Sequence, residues 1–165
     1  MKQELDKLLC EKYPKMMVNR NKNMQETCMC WGFECGDGWY NILNQLMGNI
    51  QHHIDWKEKQ RDWAIRFNST APPADMRPVP ELIPQVTLDQ VKEKFGTLRF
   101  YYTGGDDIID GMVRMAESMS SVTCEECSAP AETHGPGWIR TICTPCEEKR
   151  EAERAVYAKQ NGFEE

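Results

Sequence analysis

Cys124-x2-Cys127 and Cys143-x2-Cys146, fifteen residues apart, constrain this chain more than any other feature. Two residues between cysteines allow one tight knuckle to aim both sulfurs at one point, and two such knuckles build a closed tetrahedral thiolate site. Zinc is the expected ion. Four thiolates also accept an iron–sulfur cluster. Four sulfurs leave no position for a reacting water, so the metal is expected to be structural. His134 lies between the knuckles and is read as a loop histidine. The other cysteines are Cys10, Cys28, Cys30 and Cys35. Cys28-x-Cys30-x4-Cys35 is not a standard zinc spacing. With Cys10, His52 or His53 it is a candidate second metal site, against the plainer reading of free thiols packed as small hydrophobes.

The flanks of the knuckles predict the finger's order. Thr141-Ile142 reads as a short strand, and Gly135-Pro136-Gly137 as a hairpin turn. Glu147 to Ala158 is rich in helix formers and stops at Asn161-Gly162. Knuckle, hairpin and helix in that order resemble a treble-clef finger. The stretch from Cys124-Glu125-Glu126-Cys127 to Cys143-Thr144-Pro145-Cys146-Glu147 resembles the finger of DksA/TraR-type transcription factors. Nothing upstream resembles their coiled coil, so their function does not carry over.

Upstream, residues 3–12 predict a helix with Leu5, Leu8 and Leu9 on one side, and 13–36 read as irregular. Asp37 is the expected N-cap of a long helix. Ile42, Leu43, Leu46, Met47, Ile50 and Ile54 recur at three- and four-residue steps on its buried face. That helix is expected to reach about Phe67, with a break near Gly48, and Trp56 and Trp63 are read as packing residues on one face. Five prolines make 71–84 an extended connector. Val91–Phe95 and Leu98–Tyr102 then flank Gly96-Thr97, which predicts a hairpin with a type II′ turn pairing Phe95 with Leu98. Its outer face carries Lys92, Lys94, Arg99 and Tyr101. Asp106 or Asp107 caps a last helix running to about Met119, with Ile108, Met112, Met115, Ala116 and Met119 as its packing side. The predicted class is α+β: a mainly helical 1–70, the connector 71–84, hairpin plus helix over 85–123, and a zinc finger with a C-terminal helix over 124–165.

Charge narrows the function. The net charge is −6; residues 1–70 carry 10 basic and 9 acidic side chains, and 71–165 carry 10 and 17. A chain this acidic is no general nucleic-acid coat, because such binding rests on neutralising many phosphates. No apolar run approaches the roughly 18 residues of a membrane span. The charged N-terminus lacks the apolar core of an export signal, so the cytoplasm is the expected compartment. Gly104-Gly105-Asp106-Asp107 resembles the Gly-Gly-Asp-Glu motif of diguanylate cyclases, but here it opens a helix. His52 and His53 point about 100° apart on a helix and do not readily share an ion.

Phe33-Glu34-Cys35-Gly36-Asp37-Gly38-Trp39, Val91 to Tyr101, and Ala116-Glu117 leading into the finger with Gly137 to Thr141 together resemble a family of small zinc-finger proteins of tailed phages and prophages. The resemblance covers 33–146. It implies an accessory protein acting in the host bacterial cell, and no activity. The expected function is non-catalytic binding of a host protein, such as a defence or transcription component, with Lys92, Lys94, Arg99, Tyr101 and Arg140 as candidate contacts. A nucleic-acid-binding finger and a metal-dependent enzyme are the alternatives, with generic nucleic-acid binding expected to be weak or absent.

Overall fold

In the computed structural model, which describes residues 1–135 and 137–162, the chain is α+β. Helix α1 (Gln3–Lys12) leads through turns to strand β1 (Phe33–Glu34) and the long helix α2 (Tyr40–Asn68). Strands β2 (Thr87–Lys94) and β3 (Thr97–Thr103) and helix α3 (Asp107–Ser120) follow. The finger adds β4 (Glu132–His134), β5 (Arg140–Ile142) and α4 (Thr144–Asn161). Pro136 of the expected finger turn lies outside the described residues.

β2 is the central strand of a three-stranded sheet, parallel to β1 and antiparallel to β3. One sheet face, with Leu88, Val91, Leu98 and Phe100, packs into a core with Trp39, Leu43, Met47 and Ile50 of α2 and Ile109 of α3. β3 is an edge strand, and α3 covers it. Ser120 Oγ accepts the Leu98 N–H at 2.8 Å, and Glu117 Oε1 accepts the Phe100 N–H at 3.1 Å. The edge donors that would otherwise invite another strand are thereby satisfied.

Several sequence expectations are corrected. The hairpin turn is Phe95-Gly96, not Gly96-Thr97, so Lys94 pairs with Thr97, Glu93 with Leu98 and Lys92 with Arg99. Both turn residues have positive φ, 54° and 77°, the signature of a type I′ turn. Phe95 thus leaves the core face and is 67% exposed. The cause lies outside the hairpin. The finger presses on Gly96, where an added Cβ would stand 2.8 Å from Thr133 Cγ2, and Thr141 Oγ1 donates to the Gly96 carbonyl at 2.5 Å.

α2 starts at Tyr40 after a short 3-10 turn, and Asp37 does not cap it. Its carboxylate instead accepts the Lys2 N–H at 2.6 Å and pairs with the Lys2 ammonium. No break occurs at Gly48. The missing side chain there admits Tyr13, whose hydroxyl donates to the Asn44 carbonyl at 2.7 Å. Residues 13–36 include a 3-10 turn and β1, which apolar periodicity did not reveal. Asp106 is the cap of α3, accepting the Ile109 N–H at 3.1 Å and pairing with His53 Nε2 at 2.9 Å. Burial alone would raise the Asp106 carboxyl, but the His53 and Ile109 hydrogen bonds outweigh it and hold it below its ordinary value. The buried side of α3 is Ile109, Val113, Ala116 and Ser120. Ile108, Met115 and Met119, expected to pack, are exposed, as are Trp56 and Trp63.

Opposite substitutions in the turn test this account. Gly96→Val should cost about 2–3 kcal/mol, because positive φ and the finger both exclude a branched side chain. Phe95→Asn should raise stability by about 0.5–1 kcal/mol, since asparagine tolerates the left-handed region and little burial is lost. Urea unfolding of both variants checks the two signs.

Candidate metal centre

Each knuckle has a local cause. After α3, the chain turns at Cys124, whose N–H donates to the Ala129 carbonyl at 2.7 Å while its carbonyl accepts the Ser128 N–H at 3.0 Å. Ser128 completes the turn at φ 67°. The Glu125 N–H donates to the Thr141 carbonyl at 2.9 Å, bringing the second half of the finger beside the first. Cys143 precedes α4, and its carbonyl accepts the N–H groups of Cys146 and Glu147, both at 3.0 Å. Pro145 occupies the first turn of α4, where its missing N–H costs nothing.

The Sγ atoms of Cys124, Cys127, Cys143 and Cys146 lie within 4.8 Å of one another, a cluster that can hold one metal ion. Cys124 is buried and Cys127 exposed. The N–H of Cys146 draws the Cys143 thiol down to about 7, while hydrogen bonding to Cys127 and burial hold Cys146 well above its ordinary value. Metal binding requires these sulfurs as thiolates, so it releases protons. His134 stands outside the cluster, as expected, but in strand β4 rather than a loop, 3.6 Å from Glu147 and 3.4 Å from the Ile142 carbonyl.

The candidate second site is not assembled. Among the described residues no other group of three such ligands shares a point. Cys35 is buried and, mainly by that burial, pushed up to about 12. Cys30 Sγ donates to the Thr27 carbonyl at 3.2 Å, and Cys28 is exposed. Cys10 donates to Asp6, and burial first, then Asp6, raises it to about 11. Cys10 and Cys30 thus turn to a local carboxylate and carbonyl rather than to another thiol.

The first knuckle is docked on the loop Gly36-Asp37-Gly38-Trp39, a role the sequence did not reveal. The Gly38 N–H donates to the Glu125 carbonyl at 2.7 Å, and the Gly36 N–H to Glu125 Oε1 at 2.8 Å. Trp39 Nε1 donates to the Thr123 carbonyl at 2.8 Å, and Ser128 Oγ to the Gly38 carbonyl at 2.6 Å. An added Cβ on Gly36 or Gly38 would overlap backbone atoms of the knuckle. Burial raises the Glu125 carboxyl, against the Gly36 hydrogen bond and with repulsion from Glu93 and Glu126. The spacing of two glycines around Asp37, next to a tryptophan, was the available signal.

Of the candidate partner contacts, Lys92, Lys94, Arg99 and Tyr101 share the outer face of the hairpin. Lys92 lies 5.7 Å over the Tyr101 ring, and Glu34 of β1 neighbours it. Lys94 stands 5.5 Å over the Phe95 ring. Arg140 lies on the finger, 5.6 Å over the exposed Trp138, with its backbone against Gly96. No described helix is long and apolar enough to cross a membrane. Comparisons of the chain with protein-family models, curated proteins and solved structures find no match.

Gly38→Ala should lower stability by about 2–3 kcal/mol through overpacking against the knuckle backbone. It should also weaken metal retention, since the same contact holds Cys124 and Cys127 in place. Thermal melting and a chelator competition, run side by side, check both effects.

Proposed function

We propose that this protein is a zinc-binding phage accessory protein that acts without catalysis, by binding a host protein in the bacterial cytoplasm. Zinc fits the closed four-sulfur donor set, which favours a structural ion over a reactive one. In a treble-clef-like finger it would fix the two knuckles and, through the first of them, the Gly36–Trp39 loop.

The observation that carries the binding reading is the exposed aromatic and cationic surface where the hairpin turn meets the finger. Phe95 and Trp138 are both more than two-thirds exposed, and Lys94 and Arg140 lie over their rings. Aromatic and arginine side chains on a well-held mount are the kind of groups that dominate protein interfaces. Phe95 also pays a conformational cost for its exposed position, and strained residues cluster where function needs them. An inhibitor of a host defence or transcription component fits this surface, as a rigid body offering a small set of anchors.

A nucleic-acid reading draws on the same stacks, because rings beside cations suit unpaired bases and phosphates. Against it stand Glu34 beside Lys92, Glu126 on the knuckle, and the formal −2 of four thiolates around a Zn²⁺. Three hairpin cations support a salt slope of only about −2 to −3, which means weak binding.

Purified protein should carry one equivalent of zinc per chain. Tagged wild-type protein should retain one bacterial protein in stoichiometric amount, and Phe95→Ala/Trp138→Ala should release it without lowering the zinc content. Submicromolar affinity for a random oligonucleotide, lost in Lys92→Ala/Lys94→Ala/Arg99→Ala, would instead establish the nucleic-acid reading.

A further inference from the structure

Two apolar surfaces remain outside the core and away from the hairpin and finger. The first is a groove of about 270 Å³ between α2 and α3, walled by Ile42 and Leu46 on one side and Met112, Met115 and Met119 on the other. The second is the distal part of α2. Beyond His53 it extends past α3 and carries Trp56 and Trp63, with Phe67 stacked on Trp63 at 5.3 Å.

Both surfaces look the same way. At about 100° per residue, Asn41, Gln45, Asn49, Trp56 and Trp63 fall within about 80° of arc on α2. The first three line the groove. The helix runs unbroken over 29 residues, about 43 Å, so the tryptophans and the groove lie along one straight face. α3 runs back along α2. Met112 and Asn49 line the groove together, and Asp106 bonds His53, which carries Ile108 towards the level of Trp56. On α3, Ile108, Met112, Met115, Met119 and Val122 recur at alternating steps of four and three, the spacing of a helix–helix seam.

We propose that two copies of the chain pair face to face about a two-fold axis, the aromatic arm of each α2 lying in the methionine groove of the other. Antiparallel overlap of two straight α2 helices about their midpoint, near residue 54, places position 63 opposite position 45 and position 56 opposite position 52. Each arm then lies over the partner copy's groove, and neither surface is left in water. The result is a four-helix arrangement with a closed, self-complementary interface.

Chemistry and area favour a second copy as the occupant. The chemistries match, since polarizable thioethers pack well against aromatic rings. The charges do not oppose it: Lys59 and Arg66 lie within about 60° of Trp63 on α2, while Asp110 and Glu117 of α3 are held within the chain by Tyr102 and Phe100. The area is sufficient. Trp56 is 53% exposed, Trp63 54%, Ile108 54%, Met115 66% and Met119 46%. At about 100–150 Å² each, these five side chains offer about 500–750 Å² per copy. That is at or above the roughly 300–600 Å² apolar patch of a typical monomer. Doubled, it comes to about 1,000–1,500 Å², which reaches the roughly 1,200–2,000 Å² of specific interfaces.

Sedimentation equilibrium of the metal-loaded full chain, at up to on the order of 100 µM, tests the proposal. The expected mass is twice 19.1 kDa. Trp63→Glu and Met115→Glu change exposed positions, so each should be monomeric with an unchanged melt and metal content. Mixing the two variants should restore dimers, because the intact arm of the Met115→Glu chain fits the intact groove of the Trp63→Glu chain. Monomeric wild type would overturn the proposal and leave the groove to a foreign helix. Dimers that survive both substitutions, or variants that stay monomeric when mixed, would overturn the arm-in-groove geometry. Should either variant melt early, Met119→Lys and Trp56→Lys repeat the same test.

Discussion

The backbone hydrogen bonds between the Gly36-Asp37-Gly38-Trp39 loop and the first cysteine knuckle join the two halves of this molecule. Gly38 and Gly36 donate to Glu125, Trp39 donates to Thr123, and Ser128 donates back to Gly38. Neither glycine position has room for a side chain. A small four-cysteine module has little apolar core of its own, and α4 has no buried residue among those described. Its stability then rests on this seam and on the metal ion that its four cysteines can hold. Trp39 serves both sides, with its ring fully buried in the main core and its indole N–H on the finger.

A second fastening follows from the first. With the knuckle docked, Thr141 reaches the Gly96 carbonyl, and β4–β5 lies against the hairpin turn. The turn cannot then be the Gly96-Thr97 turn that strand pattern suggests. It moves back one residue, Phe95 takes positive φ, and its ring points to water. The exposure of Phe95 is thus a product of how the finger sits. The same logic holds at α3, whose Ser120 and Glu117 cover the β3 edge, so that Ile109, Val113 and Ala116 turn inward. Ile108 and the methionines remain outside.

What could be read from the sequence was what spacing alone determines. The four cysteines announced a shared point, the three- and four-residue steps of Ile42 to Ile54 announced a buried helix, and Asp106-Asp107 announced the start of α3, which Asp106 caps. What could not be read depended on contacts distant in the chain. Asp37 looks like a cap until Lys2, 35 residues away, takes its carboxylate. Met115 and Trp63 look like packing residues because periodicity shows that a face is apolar, not whether anything covers it. Cys30 and Cys35 look like partial ligands until Thr27 and burial account for them, which leaves Cys28 exposed and alone.

Amide hydrogen exchange with the metal bound and after chelation tests most directly whether metal, knuckle and loop act as one unit. On chelation, protection should fall at Cys124–Cys146 and, together with it, at Gly36–Trp39 and at the Gly96 turn, while the α2 core from Leu43 to Ile50 stays protected. Loss confined to the finger, with the Gly36, Gly38 and Gly96 amides unchanged, would contradict the account.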